Sequence, residues 1–150
     1  MNQLVVDCAI AVAALNGLPA LAGAWLWHRE QEARAFWTLL RTAQVAELLF
    51  ALGIGVLAAG GRYASEHLFY LYALLPIAVA FIAEQLRITA AQTVLDRLGL
   101  EGAAAVGELP ETEQRAVVHA ILRREMAIMA LSALVVAILA LRAASTAHGL

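Results

Sequence analysis

Four apolar runs, each long enough to cross a bilayer, dominate the chain and leave few folds open to it. They cover about residues 4–27, 36–59, 67–86 and 126–143. A bilayer core of about 30 Å needs roughly 20 apolar residues per helix. The runs are too long for strands and lack the alternation of a membrane barrel. A helix satisfies its own backbone in lipid, so four spanning helices follow. The expected fold is all-α: an integral membrane four-helix antiparallel bundle, forming a single transmembrane domain over residues 1–150. Composition agrees. Hydrophobic residues make up 63% of the chain and charged residues 15%. Soluble domains sit nearer about 45–50% apolar.

The opening residues, MNQLVVD, lack the positive stretch of a secretory signal. The first apolar run is also longer than a signal core, so it reads as a retained span. The net charge of -2 does not suit nucleic acid. Every basic residue is arginine, which excludes a Schiff-base or P-loop lysine. Cys8 is the single cysteine, so no internal disulfide forms.

Arginine placement sets the expected orientation. Arg29, Arg34 and Arg41 flank the first loop, and Arg87, Arg97, Arg115, Arg123 and Arg124 lie between the third and fourth spans. The other side carries Arg62 and Arg142. Both termini are therefore expected outside a cell membrane, with the segment 87–125 cytoplasmic. Trp25, Trp27 and Trp37 fall at the inner interface, and Tyr63, Phe69 and Tyr70 near the outer one.

The segment 87–125 reads as a helical hairpin that extends the third and fourth helices. Leu86, Ala90, Val94, Leu95 and Leu98 recur at helical spacing. Gly99 and Gly102 are stop signals, and EGAAAVG is a connector. Pro110 and the acids after it suit a helix start.

Two polar layers interrupt the apolar background. Glu47 lies nine steps past Thr38, so roughly 13 Å deep at 1.5 Å per residue. Asn16 falls at a similar level, and Ser132 slightly shallower. Pro76 and Pro19 free the carbonyls of Tyr72 and Leu15. The intramembrane cluster is thus Asn16, Glu47, Tyr72 and Ser132. A charged carboxylate costs about 2.5–3.5 kcal/mol to insert. Glu47 is therefore expected to face inward, protonated, with Asn16 or a freed carbonyl as its partner. The second layer, at the inner mouth, holds Arg41, Glu84, Arg124 and Glu125. It suits ion pairs, Arg41 with Glu84 first, or a lipid head group.

Haem ligands inside the spans are missing. His28, His119 and His67 are the candidates at the faces, with His148 in the tail. Asp7 and Cys8 have no second thiol or nearby histidine, so a metal site there is not expected. Ala51, Gly55 and Ala59, and likewise Ala133 and Ala137, form small-residue rows that admit close helix approach or a homodimer. The chain holds no phosphate loop, nucleophile elbow, zinc motif or Cys-x-x-Cys.

Three functions fit. The first is a non-enzymatic accessory or scaffolding subunit that meets a cytoplasmic or membrane protein partner through its hairpin, with no cofactor. The second is a small oligomeric transporter or channel using Glu47. The third is a haem-, quinone- or lipid-binding redox bundle.

Overall fold

The computed structural model describes residues 2–29, 31 and 34–147. The elements are α1 (Asn2–Arg29), α2 (Arg34–Ala59), α3 (His67–Leu98), α4 (Ala103–Gly107) and α5 (Glu111–Thr146). No strand occurs among the described residues. The four long helices, α1, α2, α3 and α5, are each long and apolar enough to cross a membrane, and they pack as a bundle.

Local chemistry sets the ends. Gly61 and Gly99 both adopt the left-handed conformation, at φ 78° and 68°. After α3, the Gly99 amide donates to the Asp96 carbonyl and the Leu100 amide to the Leu95 carbonyl. After α2, Gly61 donates to Ala58 and Arg62 to Leu57 in the same pattern. Both are Schellman closures, which a residue with a Cβ would strain. Pro110 then precedes α5, and its carbonyl accepts from the Glu113 and Gln114 amides.

One difference from the sequence reading lies in the connector 101–107. Ala103–Gly107 forms a short helical turn, α4. The Gln114 side-chain amide ties this turn to α5 by donating to the carbonyls of Gly107 and Leu109, at 3.1 and 2.8 Å. The alanines supply helix propensity, and the glutamine satisfies carbonyls that a five-residue helix leaves open.

The core has three parts. At one end, Ala20, Phe36, Leu40, Ala83, Met126 and Met129 cluster, with one or more residues from each long helix. At the other, Val5, Ile54, Phe69, Ala73 and Ala143 do the same. Between them, Val12 and Ala13 of α1 meet Ala140 of α5, with Phe50 alongside. Small side chains line the packed face of α5 through all three parts. Ala130, Ala133, Ala137, Ala140 and Ala143 are all buried on α5. The small-residue row of α5 is therefore used inside the chain. The row on α2 divides: Ala51 is buried, while Gly55 and Ala59 are exposed.

α1 packs closely on α5 at Gly23. A Cβ built there would lie 2.6 Å from the Ala130 Cβ and 2.7 Å from the Phe36 Cε2. The glycine is what lets the two helices and the Phe36 ring share that level.

The helices differ in reach. At 1.5 Å per residue, α3 (32 residues) and α5 (36 residues) run roughly 48 and 54 Å, against roughly 39 Å for α2. The surplus carries the pair past the end of α1. There Ala90, Val94 and Leu95 of α3 and Val117 of α5 are buried.

Candidate functional site

The gap between α2 and α3 holds the polar side chains. These two helices touch each other far less than α1 and α5, or α3 and α5, do. Between them lies a groove of about 300 Å³. Arg41, Gln44, Glu47 and Leu48 line it from α2, and Ile77, Ala80, Phe81 and Glu84 from α3. The spacing explains both walls. Residues 41, 44 and 48 fall on one helical face, as do 77, 80, 81 and 84.

At the groove's mouth runs an ion-pair chain. Arg41 Nη1 donates to Glu84 Oε1 at 2.5 Å and to Gln44 Oε1 at 2.6 Å. Gln44 Nε2 donates to Glu84 Oε1 at 3.4 Å. Arg87 Nε donates to Glu84 Oε2 at 2.8 Å, and Arg87 Nη1 reaches Glu125 Oε2 at 3.4 Å. The structure thus brings Arg41, Glu84 and Glu125 into one network that spans α2, α3 and α5. Arg124 is not part of it: its Nε is buried and has no hydrogen-bond partner among the described residues. Arg87 joins the network and was missed in the sequence reading. Its spacing of three from Glu84 on a helix was the available signal.

Arginine stacking adds to this end of the bundle. Arg87 lies over the Trp37 ring at 5.9 Å, Arg123 over Trp27 at 5.0 Å and Arg29 over Trp25 at 4.7 Å. Each guanidinium lies over the face of an electron-rich ring, a favourable cation–π placement.

Glu47 lies deeper, with 4% of its surface exposed. Its Oε2 is buried and has no hydrogen-bond partner among the described residues. The expected pairing with Asn16 is not made. Asn16 is 1% exposed, and its Nδ2 donates to the Val12 carbonyl at 3.0 Å, within its own helix. A carbonyl four residues back is always within reach of an asparagine on a helix, whereas a cross-helix partner must also share its azimuth. Ser132, another member of the expected cluster, bonds within its own helix. Ser132 Oγ donates to the Met129 carbonyl at 2.9 Å. The Tyr72 side chain packs against the far core cluster, with Arg142 over its ring at 5.5 Å. Depth had grouped Asn16 with Glu47; in the structure the Asn16 amide bonds within its own helix instead.

The described histidines sit on three different helices. His28 is exposed in the last turn of α1, His67 is exposed at the start of α3, and His119 is half-buried on the α5 extension. His148 lies outside the described residues. No group of three or more His, Cys, Asp or Glu side chains that could hold a metal ion occurs among the described residues. Asp7 accepts from Gln3 at 2.9 Å, and Cys8 is exposed.

A second groove, of about 350 Å³, sits on the hairpin. Leu98, Leu100 and Leu109 face Ala116, Val117 and Ala120 across it, with Glu113 at the edge. Leu98 is 55% exposed and Val118 49%.

The chain matches no protein-family model, no curated protein and no solved structure.

Proposed function

We propose that the protein is a non-enzymatic integral membrane subunit whose hairpin serves as a cytoplasmic docking platform. The four long helices cross the bilayer in alternating directions. Support for the alternation comes from the core: the start of α1, the end of α2, the start of α3 and the end of α5 share one cluster. Support for insertion comes from the outward side chains. Leu4, Leu21, Val56, Phe81 and Leu131 are all more than three-fifths exposed, a surface that acyl chains would cover. The arginine distribution favours termini outside and the hairpin inside.

The observation that carries the docking reading is the apolar groove on the hairpin. The extensions of α3 and α5 bury Val94, Leu95 and Val117 against each other, yet leave Leu98 and Val118 about half exposed. A hairpin that packed only on itself would cover these. Exposed leucines beside a concave apolar surface suit a helix or strand from a partner protein.

The test replaces Leu98 and Leu109 together with glutamate and compares complexes by crosslinking in native membranes. The wild type is expected to yield a discrete higher-mass complex that the variant loses, with both proteins inserted equally. The same complex from the variant would overturn the reading.

A further inference from the structure

The rim network balances its own charges. Arg41 and Arg87 face Glu84 and Glu125, two cations against two anions. Glu47 stands outside this balance. It lines the same groove, is 96% buried (4% exposed), and keeps one carboxylate oxygen without a donor. A buried carboxylate without a donor costs more than one with a partner, and here the protein supplies none among its described residues.

The surroundings define what would fit. Around Glu47 the walls are apolar: Leu48 on α2, and Ile77, Ala80 and Phe81 on α3. Leu48, Ile77 and Phe81 are 51%, 40% and 65% exposed, so the groove opens sideways out of the bundle. Its volume of about 300 Å³ is at the small end for ligand pockets. The last torsion of a glutamate is soft, so either oxygen can turn toward the groove. The missing component is a hydrogen-bond donor with a positive charge, attached to an apolar body.

We propose that the α2–α3 groove binds a small amphiphile with a primary ammonium head, held by Glu47, and an aliphatic body lying along Ile77, Ala80 and Phe81. The head donates to the carboxylate and supplies the charge that the rim network withholds from it. The lateral opening admits the ligand from the acyl-chain region. Gln44, one turn before Glu47, closes the polar end. The groove is separate from the hairpin, so binding here stands whether or not the hairpin docks a partner.

The experiment titrates radiolabelled n-octylammonium onto the full chain in phosphatidylcholine nanodiscs, with uptake by empty nanodiscs subtracted. n-Octanol, equal in chain length and uncharged, is the parallel probe. The expected result is saturable binding of one octylammonium per chain, weakened at least tenfold by Glu47→Gln, with no saturable octanol binding. Ala80→Phe leaves the carboxylate intact and fills the groove; it is expected to weaken binding as much. Circular dichroism checks each variant, and Ala80→Phe decides the matter if Glu47→Gln loses helicity. Absence of saturable octylammonium binding, equal binding by a folded variant, or equal binding of octanol overturns the proposal.

Discussion

The seam between α1 and α5 and the gap between α2 and α3 are built from opposite materials. At the seam, Ala9, Ala13 and Ala20 of α1 and the buried alanines of α5 let backbones approach closely, and Gly23 admits the Phe36 ring. Little there is polar except Asn16, which satisfies itself on Val12. At the gap, arginine, glutamine and two glutamates hold the helices apart, and a groove remains. The seam is closed by dispersion between small groups; the gap is bridged at its mouth by long polar side chains. A bundle can thus be rigid along one edge and receptive along the other. Stability is expected to concentrate at the seam and binding at the gap.

Substitutions can test that division. The largest effect is expected from Phe36→Ala. Phe36 is 1% exposed and packs where all four long helices meet. Thermal unfolding in detergent, followed by circular dichroism, should show a loss of about 3–5 kcal/mol. Gly23→Ala comes next, at about 1–3 kcal/mol, because its Cβ must displace Ala130 or Phe36. Gly53→Ala is the matched control: nothing lies within 4 Å of its Cβ, so stability should hold or rise slightly. Equal effects of the two glycine changes would mean that the close approach at Gly23 does not tighten the seam.

The gap should respond in the other direction. Glu47→Leu removes a buried oxygen that has no donor, and it should stabilise the protein by about 1–2 kcal/mol in the same assay. A loss of stability would instead mark Glu47 as a structural tie. Among the polar changes, the smallest effect belongs to Arg87→Ala. Its partners Glu84 and Glu125 are partly solvated, so about 0.5–1 kcal/mol is expected, and less at high salt. A double-mutant cycle with Glu125→Ala isolates the cross-helix part.

The helices were readable because their signals are local. The second run was read as 36–59 and α2 ends at Ala59; the third was read from His67 and α3 begins there. Gly61 and Gly99 mark these ends in the residues themselves, since the left-handed closing position favours glycine. α4 was hidden because a single helical turn depends on Gln114, seven residues further on, to hold it. The Arg41–Glu84 pair follows from depth, which adds up residue by residue along each helix. The Glu47–Asn16 pairing also followed from depth, and the structure does not contain it.

That contrast separates the two kinds of information in this chain. Apolar length and glycine stops decide that there are four long helices, roughly where each begins and ends, and how far along its helix every polar group lies. Both act within a turn or two of backbone, so they are written in the order of residues. Azimuth is different. Which gap Glu47 faces, whether Asn16 meets it, and whether Gly23 touches Phe36 depend on how each helix rotates about its axis to bury its small residues against its neighbours. Rotating α2 by a fraction of a turn would leave every depth unchanged and move Glu47 to another face. Side-chain packing among α1, α2, α3 and α5 made that choice, and with it the open groove that sets this bundle apart from a closed one.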